Sequence, residues 1–174
     1  MVIKIGLNIG HGGKDTGAVN GTLYERDVNK KIVSFLAKEL ITMGYQIESF
    51  QQKSSVNEVV KWANNAELDY LISVHCNSFT QSTACGHETL FSEGSIKGEK
   101  LAQSIQTSLV KTIGLRDRGV KSRNNLAVLN YTKMPAVIVE TAFISNPSEA
   151  KLLEEKPELF AKAIADGVKN YLKN

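Results

Sequence analysis

Two histidines and two glutamates are the side chains of this sequence whose types and positions could carry out chemistry together. They are His11, Glu25, His75 and Glu140. His11 and His75 follow apolar, strand-like segments, Glu140 ends another, and Glu25 opens the first helical pattern. Two imidazoles and one carboxylate are a common zinc ligand set that leaves one coordination position open, and a further carboxylate beside it can act as a general base. The four residues therefore predict a metal site with an acid-base group, if the fold brings them together.

The glycine-rich segment of residues 10–17 surrounds His11 and reads as a loop after a buried strand. It does not fit a phosphate-binding loop of the Walker type, because Asp15 follows Gly13-Lys14 and Asn8 stands five positions before Gly13. A dinucleotide fingerprint begun in the same loop would place the Asp15 carboxylate against the pyrophosphate. Both nucleotide-binding interpretations therefore fail, and His11 is the informative residue of the loop.

Strand-like and helix-like segments alternate along the whole chain. Strands are predicted at residues 2–7, 45–50, 70–74, 87–91, 126–129 and 136–139, and helices at 25–44, 56–66, 101–113, from 147 onward and at 159–172. Residues 116–123 are predicted to be a polar, basic loop. The alternation indicates an α/β fold, a three-layer α/β/α sandwich with a mostly parallel twisted central sheet, and one domain spanning residues 1–174.

In such a sheet the carboxyl ends of the strands lie side by side, so we expect His11, His75 and Glu140 to face one cleft. Taken singly, each histidine is also compatible with a structural role, and Glu25 with a favourable acid at a helix N-terminus. Glu140 follows an apolar core strand, where an unpaired charge is costly. A Cys76 nucleophile is disfavoured because adjacent strand residues point to opposite faces, so we expect a buried thiol there.

Composition narrows the class of protein. The 174 residues are 42% hydrophobic and 22% charged, and no segment approaches the length of an uncharged membrane span, so we expect no membrane insertion. The net charge of +3 is too small and too evenly spread to indicate a nucleic-acid partner. Only two cysteines are present, and we expect both to be reduced. Trp62 is expected to pack on a helix, and His87 to lie at the surface or behind the site.

A series of motifs runs along nearly the whole chain. They are Gly10-His11-Gly12-Gly13 with Asp15 and Gly17, then Glu25 and Asn29, Ile72-Ser73-Val74-His75-Cys76-Asn77-Ser78, Gly86-His87-Glu88-Thr89, Asp117-Arg118-Gly119-Val120-Lys121, Met134-Pro135-Ala136-Val137-Ile138-Val139-Glu140 and Phe143-Ile144-Ser145-Asn146. In this order and spacing the motifs resemble one family, the zinc-dependent N-acetylmuramoyl-L-alanine amidases of the type-3 fold, which cut bacterial cell wall.

The resemblance implies that His11, Glu25 and His75 bind Zn²⁺ and that Glu140 is the catalytic carboxylate. The implied reaction is hydrolysis of the amide between the lactyl group of N-acetylmuramic acid and L-alanine of the stem peptide, with peptidoglycan as the partner. Asn77, Arg118 and Lys121 are candidates for binding substrate, the two basic residues by pairing with stem-peptide carboxylates. A solvated basic loop is the alternative for the last two.

The sequence departs from the family pattern at three positions. Asn8-Ile9 stands where many relatives have Asp-Pro, Cys76 where alanine is common, and His87 where an apolar residue is common. None of these removes a proposed ligand. The Asn8 change is expected to alter the residues that orient His11, and so the metal affinity.

The biological setting is expected to be the cell wall. No export signal precedes the first strand, which suggests a protein made in the cytoplasm and released by lysis, such as a phage or sporulation lysin, or the excised catalytic part of a secreted protein. We expect a monomer. The alternative function is a catalytically silent amidase-like module that binds peptidoglycan, which the intact Glu140 argues against.

Overall fold

The central sheet of the protein, seen in a computed structural model that describes residues 2–173, has the strand order β4-β1-β5-β8-β6-β7. All neighbouring pairs are parallel except β6 and β8, which are antiparallel, so the prediction of a mostly parallel sheet is confirmed. The strands are β1 Lys4–Ile9, β2 Val19–Asn20, β3 Leu23–Tyr24, β4 Gln46–Gln51, β5 Tyr70–Asn77, β6 His87–Ser92, β7 Asp117–Arg123 and β8 Ala136–Phe143. The end residues of the predicted domain, Met1 and Asn174, lie outside the described part.

Helices cover both faces of this sheet, which confirms the three-layer sandwich. They are α1 Glu25–Thr42, α2 Val56–Asn65, α3 Ile96–Ile113, α4 Ala127–Asn130, α5 Pro147–Glu155 and α6 Pro157–Lys173. On one face, α1, α3 and α6 bury alternate strand residues such as Leu7, Val74 and Val139 in the larger core cluster. On the other face, α2 and α4 pack against a smaller cluster that includes Leu71 and Ile138. No helix within residues 2–173 is both long and apolar enough to cross a membrane.

The helices α2 and α4 on the second face of the sheet are short, so they contact only part of that face. The two helices have 10 and 4 residues, against 18 for α1 and for α3. Their apolar contacts reach Leu71 on β5 and Ile138 on β8. Two residues further along each of these strands, the same face carries Ser73 and Glu140, and then His75 on β5. The apolar contacts of the two helices therefore end where the polar residues begin, and of these Ser73 is buried whereas Glu140 and His75 are partly exposed.

Two short segments differ from the sequence prediction. Residues 126–129 were predicted as a strand, but residues 127–129 belong to helix α4. Val128 and Leu129 are both buried in the smaller cluster, and two adjacent residues of a strand could not face the same surface. Residues 116–123, predicted as a loop, largely form strand β7, which pairs with β6 alone at the edge of the sheet. An edge strand needs little apolar sequence, since one side and much of one face meet solvent.

Sequence signals at helix ends are confirmed. The Asn146 side chain caps α5 by accepting hydrogen bonds from the backbone N–H groups of Ser148 and Glu149, with Pro147 in the first turn. Gly114 ends α3 in the left-handed conformation, with φ of 77°. The small hairpin of β2 and β3, which precedes α1, has no counterpart in the predicted elements.

Candidate metal centre

Three side chains converge at the carboxyl ends of the central strands. One donor atom from each of His11, Glu25 and His75 lies within 4.8 Å of the others. The Glu25 Oε1 atom is 3.3 Å from His11 Nε2 and 3.1 Å from His75 Nδ1. The two imidazole rings are nearly perpendicular, with centroids 5.1 Å apart. Two imidazole nitrogens that face one carboxylate oxygen are the donor types and the spacing that fit a zinc ion with an open coordination position.

His11 is held in place by the turn that follows β1. Its backbone is in the left-handed region, with φ of 62°, which is uncommon for a residue with a side chain and turns the ring away from the strand direction. The Asp15 carboxylate lies 2.8 Å from His11 Nδ1 and also accepts a hydrogen bond from the Gly17 backbone N–H. With Nδ1 engaged by Asp15, His11 presents Nε2 to Glu25.

Two glycines make room for the ligands. A Cβ atom on Gly10 would lie 2.3 Å from the nearest atom of the His75 ring, and one on Gly17 would lie 2.6 Å from Glu25 Oε2. Both distances are far below a van der Waals contact. The glycine-rich loop is therefore required by the close approach of backbone to His75 and Glu25, and not by a phosphate.

Glu25 is the buried member of the three, at 4% exposure. It is the first residue of α1, and its carboxylate accepts hydrogen bonds from the backbone N–H groups of Ala18 and Cys76. Burial opposes its charge, but the hydrogen bonds from His11 and His75 hold the pKa of Glu25 well below its usual range. In turn, the hydrogen bond with Glu25 raises the pKa of His11 to about 9, against the effect of burial.

Glu140 stands beside this group in the sheet. It is directly opposite His75 of β5 and Glu88 of β6, so the three side chains form a row across three strands on one face. Glu140 is half-buried, and its carboxylate accepts no hydrogen bond from any described residue. Burial raises the pKa of Glu140 to about 7, with the charges of Glu25 and Glu88 adding to the effect and that of His75 opposing it. A carboxyl group with a pKa near neutrality suits general acid-base chemistry.

The predicted substrate-binding residues gather around Glu88. Arg118 Nε lies 3.1 Å from its Oε2, Lys121 Nζ is bonded to the same oxygen, and Asn77 Nδ2 donates to Oε1 at 3.3 Å. The two basic residues lie on strand β7 and not in a loop, which corrects the sequence prediction. Burial opposes the charge of Glu88, but hydrogen bonds from Lys121 and Arg118 hold its pKa below the usual range. These residues line a cleft of about 440 Å³ next to Glu140.

The side chains of three other residues singled out in the sequence do not join this group. Cys76 is buried on the opposite face of β5, and burial raises the pKa of its thiol well above the usual value, as expected for a packing residue. Trp62 stacks on Phe50, which confirms its packing role. His87 is fully buried, so the expectation of a surface position is wrong; its Nδ1 is hydrogen-bonded to the backbone carbonyl of Thr141.

Asn8, which was expected to affect the orientation of His11, makes no hydrogen bond to it. Asn8 accepts a hydrogen bond from Ser73 and donates to the carbonyl of Phe50, so it ties β1 to its two neighbours. Asp15 orients His11 instead. The signal that could have found Asp15 is an acid four residues after a histidine within a glycine-rich turn. The position of Glu88 opposite Glu140 depends on the antiparallel pairing of β6 with β8, which no spacing of residues in the sequence indicates.

Comparison with known proteins agrees with these observations. A family model described as N-acetylmuramoyl-L-alanine amidase matches residues 5–170. The amidase LytC of Bacillus subtilis is 36% identical over 172 residues, which cover 95% of this chain and 34% of LytC. The B. subtilis protein YqiI is 35% identical, covering 95% of this chain and 82% of its own. A crystal structure of an N-acetylmuramoyl-L-alanine amidase from Clostridium difficile 630 superposes with a TM-score of 0.90 at 32% identity, over 99% of this chain and 98% of that one. The chain thus spans about a third of LytC but most of YqiI.

Proposed function

Since the chain belongs to the N-acetylmuramoyl-L-alanine amidase family, we propose that it hydrolyses the amide between the lactyl group of N-acetylmuramic acid and L-alanine in peptidoglycan. The single observation that supports this most is the convergence of His11, Glu25 and His75, with Glu140 next to His75 in the sheet. The continuous family match from residue 5 to 170 supports the prediction of one catalytic domain.

We assign zinc binding to His11, Glu25 and His75. A zinc ion held there would supply Lewis-acid polarisation of the scissile carbonyl and of water. Asp15 fixes the His11 ring so that Nε2 faces the site, and the backbone N–H groups of Ala18 and Cys76 fix the Glu25 carboxylate. Ligands held by such neighbours need little rearrangement when a metal binds.

Glu140 is assigned as the general base and then the general acid. It lies at the rim of the apolar core, next to a ligand, and no described residue occupies its carboxylate by hydrogen bonding or ion pairing. A pKa of about 7 allows it to accept a proton from water and to return it to the departing nitrogen of L-alanine. Acid-base groups of this kind typically contribute about 10²–10⁴-fold to the rate.

The cleft beside Glu140 is assigned to the stem peptide. Arg118 and Lys121 together carry one positive charge more than Glu88 neutralises, and Asn77 offers an amide at the end of β5. Peptide carboxylates of the stem would be attracted by this excess charge. The leaving group would then lie over β6 and β7, and the glycan on the side of β1.

The test measures new amino termini of L-alanine released from purified peptidoglycan. We expect release by the parent protein, loss of release with a chelator, and recovery when zinc is added back. Glu140→Gln should retain zinc and lose release, whereas the matched control Glu154→Gln, an exposed acid on α5, should behave as the parent does. Binding of peptidoglycan without any new amino termini would identify the silent binding module instead.

A further inference from the structure

The outer surface of helices α3 and α6 carries a groove of about 740 Å³ that lies across the sheet from Glu140. The helices meet closely beside it, since a Cβ atom on Gly167 would lie 2.6 Å from the Ile105 Cα and the Ser104 hydroxyl donates to the Gly167 carbonyl at 2.7 Å. This backbone contact fixes the two walls of the groove relative to each other.

Four lysines line this groove, which is called the lysine groove below: Lys100 and Lys111 on α3, and Lys169 and Lys173 on α6. Within residues 2–173, none of the four forms an ion pair. Asp166 is the one acid in the lining, and its carboxylate is bound by Lys162 at 3.1 Å. Four lysines and one aspartate give the groove a charge of 4 minus 1, or +3, which equals the net charge of the whole chain, 21 minus 18. The charges of the remaining residues sum to zero, so the expectation of an evenly spread net charge is wrong.

We propose that the lysine groove binds a linear polyanion with repeating phosphodiester groups, of the polyol phosphate type found in cell walls. Lysine ammonium groups are mobile point charges, which suit a flexible chain of phosphates better than a planar ligand. Lys100 and Lys111 are 11 positions apart on α3 and therefore about 16 Å apart along the helix axis, far enough to contact more than one phosphate. The Thr107 hydroxyl in the same lining accepts a hydrogen bond from Gln103, so its own O–H can donate to a phosphate oxygen.

Two other polyanions fit the groove less well. The lining contains no aromatic side chain on which the bases of single-stranded nucleic acid could stack. It also contains none of the exposed large hydrophobic residues, which an anionic membrane surface would need for insertion. The choice of a wall polymer depends on the proposed function for its location, but binding in the groove does not depend on catalysis.

The test uses the whole protein and a purified poly(glycerol phosphate) as the probe, with binding measured by titration at low and moderate salt. We expect affinity to fall about 50-fold between about 50 mM and about 200 mM salt if four cations are engaged. The variant K100Q/K111Q/K169Q/K173Q should lose at least about tenfold in affinity at low salt, with its thermal midpoint unchanged. Its release of L-alanine termini from soluble wall fragments should equal that of the parent.

The matched control is K38Q/K61Q/K133Q/K156Q, which removes the same charge from exposed lysines outside the groove. Equal loss of affinity in the two variants would mean that only net charge matters and would overturn the proposal. So would unchanged binding by the groove variant, or tighter binding of DNA or of anionic phospholipid vesicles than of the polyol phosphate. Because none of these outcomes involves hydrolysis, failure here is distinct from failure of the proposed amidase activity.

Discussion

Glu140 and His75 occupy paired positions on the neighbouring parallel strands β8 and β5, with both side chains on the face where α2 and α4 pack but beyond the apolar contacts of those helices. The register of one strand pair therefore sets the distance between a proposed zinc ligand and the proposed proton carrier. Sheet register is rigid, because a shift of one residue would move every core side chain of β8 to the opposite face of the sheet and into the other core cluster. The predictions below test what this placement does.

Replacing Glu140 by glutamine should stabilise the fold at neutral and alkaline pH. Its pKa is raised from 4.5 to about 7, so between these values the unfolded chain releases a proton that the folded protein keeps. Stability is therefore lost as the pH rises through this window. With chelator present, Glu140→Gln should gain about 1–3 kcal/mol in the free energy of unfolding at about pH 8 and little at about pH 4.

Urea denaturation at both pH values measures this difference, with Glu154→Gln as the control. A gain that is the same at both pH values would contradict the assignment of the raised pKa to Glu140.

Replacing Asp15 by asparagine should weaken zinc binding without unfolding the protein. The carboxylate that fixes the His11 ring is partly exposed, so its loss should cost metal affinity more than stability. We expect an affinity lower by about 10–100-fold, and activity restored by excess zinc. Competition with a chromogenic chelator gives the affinity, and Asp27→Asn on the surface of α1 is the control. An unchanged zinc affinity would show that Asp15 does not support His11.

Replacing Gly10 by alanine should displace His75 and abolish metal binding. The added Cβ would lie 2.3 Å from the ring. The Gly10 backbone is not in the left-handed region, so backbone strain would not add to the effect of this clash. Gly21→Ala is the comparison, because nothing lies within 4 Å of its Cβ and only its φ of 60° is strained. That variant should lose about 1 kcal/mol of stability and keep zinc. Zinc content after dialysis distinguishes the two, and full zinc content in Gly10→Ala would refute the packing argument.

Replacing Arg118 or Lys121 by glutamine should raise KM and leave kcat nearly unchanged. Both cations are partly exposed and already share Glu88, so we expect an increase of about tenfold or less for wall fragments with free stem-peptide carboxylates. Fragments whose carboxylates are amidated should show no such increase. The comparison of the two substrates is the measurement, with Lys133→Gln as the control. Equal effects on both substrates would mean that the cations serve the fold rather than the peptide.

Most of the fold could be predicted because the periodicity of hydrophobic residues indicates most of its strands and helices. The buried strands β1, β5 and β8 are apolar runs, and α1 and α6 repeat apolar residues at three and four positions. Helix α4 could not be predicted, since four apolar residues are compatible with a strand or a helix until the surface that buries them is known. Strand β7 was missed because edge strands tolerate polar sequence.

The main members of the candidate site could be predicted from their positions at strand ends, but their neighbours could not. The role of Asp15 depends on the left-handed backbone of His11, and no residue pattern in the sequence predicts that backbone conformation. Glu88 reads in sequence as one polar residue of an ordinary strand, and only the antiparallel pairing of β6 with β8 places it opposite Glu140. Such roles follow from register, which sequence periodicity does not determine.

The shortness of α2 and α4 has a consequence for how a polymer could be handled. Because the apolar contacts of these helices stop at Leu71 and Ile138, we expect the edge that carries His75 and Glu140 to be an open ledge and not a tunnel. A glycan strand many times longer than the protein could lie across it without being threaded from a free end. Stems could then be removed at any internal position, so early products would be glycan strands of unchanged length that lack stems along their whole length rather than only near their ends.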